Sequence, residues 1–248
     1  MQGAIFDVDD TLLNNYVLNA TFGLHEQSRL DAAHLIGKKY GSKGLIAFTM
    51  KQSTQAFLDA KVHTLHAAVW QMLLMAGEVA TEDPELNHPL LVEIVEQKEI
   101  MHERLLREHG LPISGALEFV NNMAERGLKD KLAIASTACR RDIDIFFETR
   151  GFGRYFPDSR IISRERFSQA KPNPEAYNLA FATLSLPESA RPYVPAFEDD
   201  PRGIMSAKAA GLFTCAITTR FSREELAALE VAPDLIADSY EEFDKLFS

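Results

Sequence analysis

Two acidic side chains, two residues apart behind an apolar run, are the first feature of this chain suited to chemistry. Asp7-Val8-Asp9-Asp10-Thr11 closes a short apolar stretch that begins at Gly3. Residues i and i+2 at a strand end project to the same side, so Asp7 and Asp9 are expected to face one substrate. Carboxylates that close repel each other, and a cation between or beside them relieves the repulsion. Hard oxygen donors and a phosphate in the same place favour magnesium.

Three further segments carry polar residues suited to the same chemistry, two of them directly behind an apolar run. Ser136-Thr137 follows Lys131–Ala135, and a hydroxyl with exposed backbone amides at a strand-to-helix turn can cradle phosphate oxygens. Lys171-Pro172-Asn173-Pro174 places a lysine on a turn stiffened by two prolines, a point charge suited to phosphate. Glu198-Asp199-Asp200-Pro201 closes the apolar run Tyr193–Phe197, and adjacent acids there must bind a cation or meet solvent. Each segment alone also has an ordinary structural reading. The acids suit strand-end turns and helix N-termini, Ser136 and Thr137 suit helix caps, and Lys171 suits a solvated position before a helix.

The elements that must position these residues alternate. Strands are predicted at Gly3–Val8, Lys131–Ala135, Arg160–Ile162, Tyr193–Phe197 and Leu212–Ile217, with a last one near Leu235 and Ile236. Helices are predicted at Ala116–Arg126, Asp142–Arg150, Pro174–Leu184, Pro201–Ala210 and Ser222–Leu229, with another at the end. Such alternation implies a parallel sheet covered on both faces, with ligands at the carboxyl ends of the strands. From Tyr16 to Gly110 the periodicity is only helical: Leu18–Tyr40, Ser53–Met75 and Leu90–Glu108, broken at Gly41–Gly44 and at Pro84 and Pro89. The expected fold class is therefore α/β, a Rossmann-like parallel sheet core (1–15 and 111–248) with an inserted all-helical domain (16–110).

Taken together and in this order, the segments resemble the haloacid dehalogenase superfamily of phosphohydrolases. The resemblance rests on DVDDT at Asp7–Thr11, AST at Ala135–Thr137, KPNPEAY at Lys171–Tyr177 and FEDDPRGIMSAKAAG at Phe197–Gly211. It implies a helical cap of the type shared by phosphoglycolate phosphatases and β-phosphoglucomutases. It also implies that Asp7 is the nucleophile and forms an aspartyl phosphate. Asp9 would be the general acid and then the base. Ser136, with Thr137 beside it, would hold a phosphate oxygen, and Lys171 would neutralise Asp7 and the transferring group. Magnesium would be held through Asp7, Asp9 and Asp199, with Glu198 nearby. Asp200 departs from the pattern, since many relatives carry serine there. Asp9 argues against a dehalogenase or a phosphonate hydrolase of the same fold. A sugar phosphate mutase remains the alternative, and an inactive ligand-binding protein would be expected to have lost Asp7, Asp9, Lys171 or Asp199.

Composition narrows the partners. A net charge of −10 with no Lys/Arg-rich block argues against nucleic acid and anionic membranes. An anionic metabolite needs only a local cation, which magnesium and Lys171 would provide. The expected partner is a small phosphorylated metabolite, and the expected protein a cytoplasmic monomer with two free thiols, Cys139 and Cys215. No apolar run approaches the roughly 20 residues of a membrane span. His63 and His66 read as a surface pair. Trp70, Met72, Leu73, Leu74 and Met75 read as helical core, and Gly41–Lys51 as the substrate-facing loop.

Overall fold

A computed structural model describes residues 1–18, 22–62 and 64–248. His63 of the expected histidine pair, and residues 19–21 of the first expected helix, lie outside the described residues. The chain divides into two compact units, Met1–Asn14 with Leu111–Ser248, and Asn15–Gly110.

In the first unit β1 (Ala4–Phe6) is followed by a two-residue strand β2 (Leu13–Asn14), which pairs antiparallel with β3 (Leu111–Pro112). This small ladder occupies the junctions that read as loops in the sequence. Leu111 and Pro112 show no strand pattern of their own, so only the pairing with distant residues defines them.

The second unit is helical: α1 (Leu24–Tyr40), α2 (Lys43–Ile46), α3 (Met50–Asp59), α4 (Leu65–Met75) and α5 (Pro89–His109). Gly41 ends α1 in the left-handed region at φ 72°, where glycine carries no Cβ penalty. The single helix expected over Ser53–Met75 is two helices. Ala60 leaves α3 in an extended conformation, and the Thr64 hydroxyl caps α4 by accepting from the Ala67 N–H. Much of the supposed loop Gly41–Lys51 is also helical, because Ser42 and Thr49 cap α2 and α3. Trp70, Met72 and Leu73 enter the core of this unit with Ile36, Leu45, Leu91 and Ile94, whereas Met75 is exposed. Trp70 also donates its indole N–H to the Thr81 carbonyl at 3.0 Å.

The remaining elements of the first unit are α6 (Ala116–Met123), β4 (Leu132–Ala135), α7 (Arg140–Arg150), β5 (Ile161–Ile162), α8 (Glu175–Thr183), β6 (Pro195–Glu198), α9 (Pro201–Ala209), β7 (Phe213–Ile217), α10 (Arg223–Ala227), β8 (Leu235–Ala237) and α11 (Tyr240–Phe247). The six longer-range strands form one parallel sheet in the order β5-β4-β1-β6-β7-β8. This is the expected α/β, Rossmann-like arrangement.

Alternation along the strands assigns each side chain to a face. Ile5, Ala133 and Ala196 pack with Tyr177, Ala180, Phe181 and Ala207 from α8 and α9. On the other face Phe6 stacks on Phe197 at 4.7 Å between ring centres, and Phe119 of α6 meets both edge-on. Tyr240 and Phe243 of α11 close that aromatic cluster. Among the described residues, no helix is long and apolar enough to cross a membrane.

Phe119 is buried and touches four other rings of this cluster. Phe119→Ala is therefore expected to lower the unfolding free energy by about 3–5 kcal/mol. A denaturant titration followed by circular dichroism checks it; a loss below about 1 kcal/mol would show that the cluster is not the keystone of that face.

Candidate active site

All of the chemistry-bearing residues named above belong to the unit that contains the sheet. Asp7 leaves β1 with its N–H bonded to the Phe197 carbonyl at 3.0 Å, which ties the turn to β6. The chain then doubles back: Leu12 and Leu13 both donate to the Val8 carbonyl, and Asp10 donates to Leu13. Asp10 takes a positive φ of 54°, a conformation that aspartate tolerates better than most residues. Its carbonyl accepts from the Thr219 hydroxyl, and the Thr11 carbonyl accepts from the Tyr240 hydroxyl at 2.9 Å. The acidic turn is thus held by the loop that follows β7 and by the first residue of α11.

Lys171, just before α8, brings its ammonium to 2.7 Å from Asp7 Oδ1 and 2.5 Å from Glu198 Oε1. Tyr177, on α8, donates its hydroxyl to the same Glu198 oxygen at 2.6 Å, and its ring faces the ammonium at 5.0 Å. Asp199 Oδ1 accepts from the Thr11 hydroxyl at 3.2 Å. These acids are nearly sealed from solvent, with exposures of 6% for Asp7, 1% for Glu198 and 2% for Asp199. Burial pushes the Asp7 carboxyl well above its usual range, against the pull of Lys171, and Glu198 and Asp9 add to the rise. Burial likewise raises Asp199, helped by Glu198, Asp7 and Asp10. Burial opposes the charge on Lys171, but Asp7 and Glu198 outweigh it and hold the ammonium more basic than usual.

One ammonium against three buried carboxylates leaves excess negative charge. Asp7, Glu198 and Asp199 each offer an oxygen within 4.8 Å of the others. Asp199 Oδ2 is buried without a hydrogen-bond partner among the described residues. Buried polar atoms are seldom left so, and clustered hard oxygen donors suit a magnesium ion. The residues present therefore fit the ion. Glu198 is the most committed of the three, since Oε1 serves Lys171 and Tyr177 and Oε2 accepts from the Asp199 N–H.

The other expected residues occupy the same end of the sheet. Asp9 forms a backbone bridge with Leu13, and its side chain stands outside the three-carboxylate group. Ser136 emerges from β4, the neighbour of β1, and is fully buried; Thr137 is exposed. The Ser136 hydroxyl accepts from the Ala138 N–H at 3.1 Å, a short turn that fixes its side chain. Asp200 caps α9 by accepting from the Arg202 N–H at 2.9 Å.

Three contributors were missed in the sequence. The Tyr177 hydroxyl holds Glu198, and Arg220 lies 3.5–3.8 Å from Asp10, Asp199 and Asp200. Arg220 had a legible signal, a basic residue shortly after the apolar run Phe213–Ile217. The third is Gly203, where a Cβ would meet the Glu198 carboxyl group at 2.0–2.2 Å.

Comparison with known proteins gives the family. The family model described as haloacid dehalogenase-like hydrolase matches residues 4–217. A validoxylamine A 7'-phosphate phosphatase from Streptomyces hygroscopicus subsp. limoneus is 26% identical over 228 residues, covering 92% of this chain and 91% of that protein. A family IA, variant 3 hydrolase of the same superfamily from Entamoeba histolytica superposes with a TM-score of 0.72 at 20% identity, covering 98% of this chain and 95% of that one. A structure described as a β-phosphoglucomutase from Thermotoga maritima superposes at 0.71 with 18% identity, covering 100% and 98%. At these identities the two structures speak for the fold.

Glu198 cannot retreat from a new methyl group cheaply, because Lys171 and Tyr177 hold it. Gly203→Ala should cost about 1–3 kcal/mol of stability, measured by urea denaturation. Wild-type stability in that variant would mean that the carboxylate moves freely.

Proposed function

This chain belongs to the haloacid dehalogenase-like hydrolases and is a phosphoric monoester hydrolase, and on that premise we propose a magnesium-dependent phosphatase of small phosphorylated metabolites that works through Asp7. The observation that carries the reading is the Lys171 ammonium fixed between Asp7 and Glu198, two of the three buried carboxylates that cluster with Asp199. It gives a buried carboxylate with a cation at its side, at the sheet end where a parallel α/β fold binds ligands.

In the proposed reaction an Asp7 oxygen attacks phosphorus in line, and the bond from phosphorus to the leaving alcohol breaks. Asp9 gives that alcohol a proton. Water then attacks the aspartyl phosphate, Asp9 takes a proton from it, and Asp7 is released with inorganic phosphate. Lys171 restrains Asp7 and offsets charge on the transferring group. Ser136 holds a phosphate oxygen, and Thr137 adds a second hydroxyl beside it. Asp7 and Asp199 are the side chains that would hold magnesium, with Glu198 behind them and Asp9 contributing from its backbone. The ion supplies charge neutralisation for the transferring phosphoryl group. A reducing, cytoplasmic setting accords with Cys139 and Cys215 as thiols rather than a disulfide.

Asp7→Asn is nearly isosteric but removes the nucleophile, so turnover of an aryl phosphate should fall by about 10³-fold or more with the fold retained. In the wild-type protein, excess chelator should abolish turnover and added magnesium restore it. Added magnesium should also raise the thermal midpoint of the wild type, by preferential binding to the folded state, and Asp199→Asn should lose that rise. Undiminished activity of Asp7→Asn, or full activity in chelator, would contradict the reading.

A further inference from the structure

Asp200, the acid that departs from the family pattern, is engaged on both of its oxygens. Oδ1 accepts from the Arg202 N–H at 2.9 Å and faces Arg202 Nε at 3.2 Å, which seats it as the cap of α9. Oδ2 lies 3.5 Å from Arg220 Nη1. The same Nη1 stands 3.8 Å from Asp199 Oδ2, and Arg220 Nε stands 3.8 Å from Asp10 Oδ2. One guanidinium therefore faces carboxylates from two loops, the turn after β1 and the turn after β6. Its own loop follows β7, the sheet neighbour of β6, and is pinned by the Thr219 hydroxyl on the Asp10 carbonyl.

The separations from Asp199 and Asp10 exceed a hydrogen bond, so the attraction there is one of charge rather than a fixed fork of donors. The Arg220 side chain is partly exposed. Asp199 Oδ2, the oxygen it faces, has no hydrogen-bond partner among the described residues, and Asp199 is one of the three carboxylates that suit the divalent ion. A cation that close to a ligand oxygen repels a second cation arriving at it.

We propose that Arg220 is an internal competitor of the divalent ion. Its guanidinium gathers Asp10, Asp199 and Asp200 in the metal-free protein and weakens the hold of Asp199 on magnesium. Asp200 is its retreat: anchored at the start of α9, it keeps the guanidinium when Asp199 turns to the ion. The arginine and the extra acid thus form one device that sets metal affinity, Arg220 lowering it and Asp200 raising it. Arg220 is a positioning residue here, acting through Asp199. The inference rests on the reading that Asp7 and Asp199 hold magnesium.

The test is a calorimetric titration of the substrate-free protein with magnesium, paired with the thermal midpoint as a function of magnesium concentration. Arg220→Gln should bind magnesium about fivefold or more tightly. Asp200→Asn keeps a good helix cap but loses the charge, and should bind about threefold or more weakly. A mere structural prop would loosen binding in both variants, so the opposite signs are the signature. Affinity of Arg220→Gln equal to or weaker than wild type overturns the inference. Should that variant fail to fold, equal or tighter binding by Asp200→Asn overturns it instead. A wild-type protein that binds no magnesium would overturn the catalytic reading as well. A wild type that binds the ion, with an unchanged Arg220→Gln, would overturn this inference alone.

Discussion

A single buried ammonium between two carboxylates is the constraint around which this active site is arranged. Lys171 meets Asp7 and Glu198 at 2.7 and 2.5 Å in surroundings almost closed to water. Removing such charges from water is costly, and they persist only when their partners are close and well bonded. Glu198 meets that condition through the Tyr177 hydroxyl and through space that only a glycine at 203 leaves open. The arrangement also leaves the carboxylates in excess of the ammonium, which makes the group receptive to a divalent ion.

The fold serves this requirement at several levels. Parallel pairing places the ends of β1, β4 and β6 side by side, so residues far apart in the chain reach one place. Stacking of Phe6 on Phe197 binds the two strands that carry Asp7 and Glu198, on the face opposite Tyr177. Hydroxyls from Thr219 and Tyr240 then fix the acidic turn by its carbonyls. Rigidity at the carboxylates comes from backbone anchoring as much as from charge pairing.

Much of this was legible in the residues because chemistry and punctuation coincide. Asp7, Ser136 and Glu198 each stand at or just past the end of an apolar run, and runs of that kind are strands in a sheet buried on both faces. Lys171 was marked by the prolines around it. Pairing between distant residues was less legible. β2 and β3 are two residues each and exist only through their mutual ladder. The break between α3 and α4 rests on the local choice of Thr64 as a cap, inside a stretch whose apolar spacing continues across it. Glu198 read as a metal neighbour, yet its carboxylate is shared first with Lys171 and Tyr177. That assignment depends on a hydroxyl 21 residues away in the chain. Arg220 escaped notice because its partners lie in two other loops, although its place behind an apolar run was visible.

The most direct test of the account is a double-mutant cycle on Lys171 and Glu198, read as unfolding free energy in urea at neutral pH. Lys171→Met alone leaves buried carboxylates without their ammonium and should cost about 3–5 kcal/mol. Adding Glu198→Gln removes one of those stranded charges, so the double variant should be more stable than Lys171→Met alone, by about 1 kcal/mol or more. Costs that simply add, leaving the double variant less stable than either single one, would contradict the claim that this buried charge group organises the site.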